Sequence, residues 1–263
     1  ALVVPEEFGG AGGELADAAA VLEELGRALV PTPLLGTTLA ELALLAADRP
    51  DAEALEQLAA GAAIGAVVFD RDYVVNGDIA DIVVGIDGAR LVRWNDVTAE
   101  AVTTVDPTRR LARVTAGSTE PIGTDPGLAD TAAILLAAEQ VGAAARCLEL
   151  TVAYTKERVQ FGRPIGSFQA LKHRMADLYV AVQSARAVVG DAVAEPTPTA
   201  ATLARLAASE AFTTVAGEAI QLHGGIAITW EHDIQLYFKR AHGSAHLFGP
   251  PSDQLRRLES EVF

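Results

Sequence analysis

From Arg158 to Gln169 the chain reads Arg-Val-Gln-Phe-Gly-Arg-Pro-Ile-Gly-Ser-Phe-Gln. A fixed positive charge, an amide and an aromatic ring stand on a tight Gly/Pro turn, and a second amide, Gln169, follows just beyond. A guanidinium offers paired donors to phosphate oxygens, and phenyl faces pack against an adenine or flavin ring. Together Arg158, Gln160, Phe161, Phe168 and Gln169 suit the pyrophosphate and adenine of a dinucleotide. Taken singly they suit plainer roles: Arg158 as the cation that closes a helix C-terminus, and Phe161 and Phe168 as core.

A second stretch is Gln221-Leu222-His223-Gly224-Gly225. Two glycines permit positive φ and let a ligand approach the backbone. Gln221 is a hydrogen-bonding group for a ribose or a phosphate. The bland alternative is an ordinary glycine cap at a helix end. Glu139 lies in the otherwise apolar run Leu135-Leu136-Ala137-Ala138-Glu139-Gln140-Val141. Desolvation raises a carboxyl pKa and makes a general base; the alternative is a structural carboxylate paired with a nearby arginine or lysine. Lys172 and His173 suit a cofactor or an interface contact. His232, His242 and His246 lack partners at metal-ligand spacing, so no metal is assigned. Cys147 is the one cysteine; it cannot close an internal disulfide and reads as a small buried apolar residue.

Composition narrows the classes. Half of the 263 residues are hydrophobic and the formal net charge is -15. An acidic surface repels phosphate backbones, which argues against nucleic acid as a partner. Any site for an anionic thioester of coenzyme A then needs local positive charge. The longest apolar runs carry charges or glycines too often to span a bilayer, no signal peptide is evident, and the lone cysteine suits a reducing cytoplasm. The expectation is a cytoplasmic protein with large subunit interfaces.

These residues need elements to hold them. Residues 1–14 read as a Gly-rich loop. Apolar spacing predicts helices over Leu15–Leu29, Leu34–Ala47 and Ala52–Ala60, the first stopped by Pro31 and Pro33. Short β-branched runs follow at Ile64–Phe69, Tyr73–Val75, Ile79–Ile86, Arg90–Trp94, Ala101–Val105 and Leu111–Thr115. Asn76-Gly77, Asp87-Gly88 and Asp106-Pro107 separate them as turns. They predict a small antiparallel β domain. Helices are expected again over Leu128–Lys156, Phe168–Ala194, Thr199–Leu222 and His232–Leu247, the first and third apolar nearly all round and so deeply packed. The expected fold is mostly α with a small β domain: an N-terminal helical domain over 1–61, a shortened β domain over 62–122 and a C-terminal four-helix bundle over 123–263.

The chain resembles the acyl-CoA dehydrogenase family in four stretches. Pro5-Glu6-Glu7-Phe8-Gly9-Gly10-Ala11-Gly12 is similar to its N-terminal loop, and Asp106 to Arg113 to the end of its β domain. Arg158 to Gln169, with Ala176-Asp177, resembles its flavin signature. Gln221 to Gly225, with Thr229-Trp230-Glu231-His232, resembles its glutamine-glycine motif. The resemblance implies FAD as cofactor. It also implies a glutamate base that removes the α proton of an acyl-CoA thioester while a hydride leaves the β carbon, and electron-transfer flavoprotein as acceptor.

Three departures matter. The family's Tyr-Glu-Gly-Thr segment corresponds to Leu247-Phe248-Gly249-Pro250, and Phe248 cannot serve as a base. The alternative glutamate position on the first bundle helix falls at Ala132. The flavin-cradling loop is absent between Phe69 and Tyr73, where only Asp70-Arg71-Asp72 stands. In that family one subunit cradles the flavin while its neighbour's Arg-x-x-Phe-Gly and Gln-x-x-Gly-Gly segments grip the pyrophosphate and adenine. Arg158, Gln160, Phe161, Phe168, Gln169, Gln221, Leu222, His223, Gly224 and Gly225 are therefore the expected cofactor contacts, made to FAD in a partner. The pattern is similar to the non-catalytic subunit of bacterial α2β2 acyl-CoA dehydrogenases that act on sterol side-chain CoA thioesters. A self-sufficient dehydrogenase with an unusual base, with Glu139 the weak candidate, and a flavin-free scaffold are the alternatives.

Overall fold

The computed structural model describes residues 1–262. The expected bundle segment over 123–263 thus ends on one residue, Phe263, outside the described residues. The architecture is mostly helical with small sheets. Helices α1 (Leu15–Arg27), α2 (Leu34–Leu45) and α3 (Ala52–Ala59) come first. Strands β1 (Gly65–Val68), β2 (Val74–Val75), β3 (Ile82–Asp87), β4 (Arg90–Asn95), β5 (Thr98–Val102), β6 (Leu111–Thr115) and β7 (Ser118–Thr124) follow. Then come α4 (Leu128–Glu157), a two-stranded hairpin of β8 (Val159–Gln160) and β9 (Arg163–Pro164), α5 (Gln169–Ala194), α6 (Pro198–His223), α7 (Ile234–His246) and α8 (Pro251–Val262). The chain forms two compact units. One holds Ala1–Val21 and Pro31–Leu135; the other holds Leu22–Val30 and the residues from Leu136 onward.

In the first unit two sheets enclose a small core. One has the order β1-β3-β4-β7 and the other β2-β6-β5. Ala66, Val68, Val74, Val83, Val92, Trp94, Ala112 and Val114 fill the space between them. The expectation of a purely antiparallel domain needs correction, because β1 pairs with β3 in parallel. The chain leaves β1, gives the short β2 to the other sheet and returns, so β3 runs in the same direction as β1. Strand β7 was not expected: Ser118-Thr119-Glu120-Pro121 is almost wholly exposed, which is how an edge strand tolerates a proline. β1 is buried on both faces. Its Gly65 stands where a Cβ would meet Ala40 and Thr37 of α2, and the Thr37 hydroxyl takes the Gly65 amide at 3.2 Å.

The second unit takes α4 from Leu136 onward. That helix is long and apolar enough to cross a membrane, but its most apolar window is 83% buried, which makes it a core helix. The end of α1 crosses it with glycine on each side. A Cβ at Gly26 would strike the Glu139 backbone, and one at Gly142 would strike the Glu23 backbone. Phe212, Val215, Ala216 and Ala219 of α6 pack with Leu148, Leu178, Val182, Ile234 and Tyr237 in one core. The helices expected from 128 onward are present within one or two residues. Helix α8 was not among the expected helices; it begins at Pro251, and proline is favoured at a helix start.

Candidate functional site

The Arg158–Gln169 stretch leaves α4 as a hairpin. The Arg158 amide still donates to Tyr154 O at 2.9 Å, and the Ile165 amide closes the turn onto Arg158 O at 2.8 Å. The tip needs left-handed backbone, with Phe161 at φ 54° and Gly162 at φ 75°. Glycine adopts that region without strain, whereas phenylalanine does so at a cost. The strained residue holds its ring out, 91% exposed. Phe161 meets Phe168 edge to face with centroids 6.1 Å apart, and the Arg163 guanidinium lies 3.9 Å from the centre of the Phe168 ring. Arg158 and Gln169 are exposed, and Gln169 Nε2 lies 3.4 Å from His173 Nε2. The Gln160 amide donates to its neighbour Val159 O. Arg158 joins no ion pair among the described residues.

The Gln221–Gly225 stretch ends α6. Leu222 and His223 are buried, whereas Gln221, Gly224 and Gly225 are exposed. Gly224 sits at φ 64°, ψ -143°, a combination essentially confined to glycine. No Cβ would clash at Gly224 or Gly225, so open space lies beyond both. His223 is packed, not presented. Its ring stacks on Tyr154 at 4.2 Å and meets His232 at 4.7 Å. Nδ1 lies 2.8 Å from Ala219 O, so Nδ1 carries the proton. Nε2 is buried without a partner among the described residues. Burial lowers the His223 pKa below its usual value.

Tyr154 was not expected from the sequence. Its hydroxyl donates to His223 O at 3.2 Å, and its ring covers His223. It lies four residues before Arg158, which directly follows α4 and whose amide donates to Tyr154 O. The structure therefore brings the two predicted stretches together through Tyr154. The four-residue spacing before Arg158 was the available signal.

Three other positions are partly or wholly buried. Glu139 is buried and pairs with the equally buried Arg240 at 2.6 Å. Ala132 is fully buried. Phe248 is half-buried at φ 60°, and Gly249 follows at φ 106°. Just before them the buried Arg205 donates to Ser244 O at 2.5 Å, Ala245 O at 3.2 Å and Leu247 O at 2.9 Å. A cation thus clamps the end of α7, where the helix dipole is negative.

In the first unit the Phe69–Tyr73 link is a closed turn. The Asp72 amide donates to Asp70 Oδ1 at 2.9 Å, Arg113 pairs with Asp72, Arg71 O accepts from the Val114 amide, and Arg71 lies 5.3 Å over the Trp94 ring. The fit to FAD is therefore uneven. The exposed cation, amides and ring of the hairpin suit the anionic pyrophosphate and the adenine. The link offers no free segment to hold an isoalloxazine.

Comparison with known proteins places these features. Residues 127–260 match the family described as "Acyl-CoA dehydrogenase, C-terminal domain". Acyl-CoA dehydrogenase IpdE2 of Mycobacterium tuberculosis is 73% identical over 263 residues, all of this chain and 83% of the relative. The alignment is as long as the chain, so that relative carries no insertion at Asp70–Asp72. Among solved structures, a Tcur3481-Tcur3483 steroid ACAD variant aligns with a TM-score of 0.88 at 28% identity, over 99% of this chain and 84% of the other. The ChsE4-ChsE5 complex from Mycobacterium tuberculosis aligns at 0.87 and 25%, over 99% and 84%. With half its length matched by the family and its whole length by so similar a relative, the chain belongs to the acyl-CoA dehydrogenase family.

Proposed function

We propose that this chain is the non-catalytic, FAD-binding subunit of a heteromeric acyl-CoA dehydrogenase. It completes the FAD site of a homologous catalytic subunit and serves the α,β-dehydrogenation of a bulky, steroid-like acyl-CoA. The observation that carries the reading is an asymmetry. The groups suited to a neighbour's cofactor, Arg158, Phe161, Gln169, Gln221, Gly224 and Gly225, stand exposed. The groups this chain would need for itself are missing: Phe248 and Ala132 stand where the family resemblance implies an acid, and the Phe69–Tyr73 link is a closed turn. Bound FAD supplies the hydride acceptor. In this reading Arg158 holds the pyrophosphate, Phe161 and Phe168 face the adenine, and Gln221 with the Gly224-Gly225 backbone holds the remaining oxygens. The likeness to a steroid ACAD and to a two-component complex supports the choice of substrate class and partner. An α2β2 assembly with electron-transfer flavoprotein as acceptor completes the proposal.

Expression with and without the partner subunit tests it. The complex is expected to be yellow and active, and the chain alone inactive, since losing a positioned base costs roughly 100- to 10,000-fold. Arg158→Ala should weaken FAD binding to the complex by about 10- to 150-fold while circular dichroism stays unchanged. Arg158→Lys should rescue only partly, because an ammonium lacks the planar two-point grip. Gln221→Ala should act in the same direction, less strongly. Turnover by the pure homomer, one FAD per chain, would replace this reading with a self-sufficient dehydrogenase. A colourless complex would replace it with a scaffold.

A further inference from the structure

We infer that Tyr154 is a positioning residue that registers Arg158 against the Gly224-Gly225 turn through a three-ring stack with His223 and His232. The inference rests on the proposed FAD reading for its purpose and on geometry for its existence. Arg158 closes α4, and Gly224 begins where α6 ends. Core packing sets the distance between α4 and α6; no hydrogen bond joins the two stretches themselves among the described residues, so their fine register is set elsewhere. Tyr154 makes the link twice. Its ring stacks on His223 at 4.2 Å with planes 22° apart, and its hydroxyl donates to His223 O at 3.2 Å, the last carbonyl before Gly224. His232 closes the stack from the third side, 4.7 Å from His223 and 6.1 Å, nearly perpendicular, from Tyr154.

The hydrogen bonds fix both imidazoles in single orientations. His223 Nδ1–H donates to Ala219 O, while His232 Nδ1 accepts from the Ile234 amide at 3.1 Å. The first bond ties the stack to α6 and the second ties it to the start of α7. The ends of α4 and α6 and the start of α7 thus meet in one ring cluster. His223 is 4% exposed, so its buried Nε2 reaches no ligand itself. It acts as a spacer. Stacked rings set a distance with few soft torsions, and a pair of this kind contributes beyond its buried area.

The test uses the full chain and its complex with the partner subunit. FAD is titrated into complexes carrying Tyr154→Leu or Tyr154→Phe. The leucine should weaken FAD about ten-fold, and the phenylalanine, which keeps the stack, by no more than about three-fold. In parallel, imidazole NMR follows His223 in the full chain without cofactor. Wild-type His223 should titrate below the ordinary histidine range. Tyr154→Leu should return it toward that range and shift both the Gly224 and Gly225 amides, whereas Tyr154→Phe, which loses only the hydrogen bond to His223 O, should leave the His223 titration low and move chiefly the Gly224 amide. General destabilisation would lower the melting temperature without separating the two variants in this way. Should Tyr154→Leu fail to fold, His223→Asn keeps a donor toward Ala219 while removing the ring and should give the same FAD loss and the same amide shifts. Wild-type affinity in Tyr154→Leu, or unmoved Gly224 and Gly225 amides, overturns the inference. Absence of FAD from the wild-type complex overturns the cofactor reading instead, and the NMR result then decides the stack by itself.

Discussion

Two buried carboxylates show how the same residue type takes opposite roles in this chain. Glu139 has a cation: its Oε1 lies 2.6 Å from Arg240 Nη1 with both side chains buried. Removing one member of such a pair strands the other, so Glu139→Gln should cost about 3–5 kcal/mol in urea unfolding. Little loss of stability would return Glu139 to the list of candidate bases. Glu41 of α2 lies equally deep, and its Oε2 has no hydrogen-bond partner among the described residues. Burial raises its pKa to about 7. Between the unfolded value of about 4.3 and that folded value, the native state binds the extra proton, so stability falls as pH rises through this window. Glu41→Gln removes the ionisation. It should match the wild type near pH 4.5 and exceed it at pH 8 by at most about 4 kcal/mol. Equal stability at pH 8 would show that Glu41 ionises without penalty. The sequence made Glu139 conspicuous because the run around it is apolar. It left Glu41 unnoticed, since a single glutamate on a leucine-rich helix looks the same whether it points to water or inward.

Arg205 and the glycine crossing carry the same lesson for the elements. The helices were readable because apolar periodicity is a local property, and α4, α5 and α6 lie within one or two residues of expectation. What holds their ends was not readable. Arg205 comes from the middle of α6 yet ties Gln140 of α4, at 2.9 Å, to three carbonyls at the end of α7. Nothing near Arg205 in sequence signals a partner some 40 residues away. Arg205→Met should lower stability by about 3 kcal/mol or more, since hydrogen bonds to a buried charge are individually strong. It should also speed amide exchange at Leu247–Gly249, the segment whose Phe248 sits in left-handed backbone. Unchanged exchange there would mean the clamp does not hold that segment. The α1–α4 crossing makes a simpler case. A Cβ at Gly142 would stand 1.9 Å from Glu23 O, so Gly142→Ala must push the helices apart. A melting temperature lowered by several degrees is expected, and no change would show that the crossing gives way freely.

Subunit assembly is the proposal about the whole molecule that the sequence supports most indirectly. Half-hydrophobic composition with a net charge of -15 is a poor match for an isolated monomer, because the charge gives solubility only where the surface is polar. The second unit shows where the excess goes. Phe161 is 91%, Ile228 79% and Trp230 77% exposed, and Val159, Tyr179 and Val180 are exposed as well. Trp230 is held, not loose. Lys239 lies 4.2 Å over its ring and donates to Gln235, whose amide in turn donates to Thr229 O at 2.7 Å. Ordering large rings at a wet surface makes sense where a partner later covers them, and obligate interfaces commonly bury about 2,000–5,000 Å² of strongly apolar area. The chain is therefore expected to leave a sizing column with light scattering as an oligomer at micromolar concentration, and as a larger hetero-oligomer with its partner. Trp230→Asp and Phe161→Asp should each weaken that association while leaving the melting temperature of the chain within about a degree or two, since exposed positions contribute little to its own core. If both variants assemble like the wild type, these rings lie outside the interface. If the unaltered chain is a well-behaved monomer even with its partner present, assembly fails, and with it the reason for exposing a nucleotide grip that this chain's own closed turn cannot use.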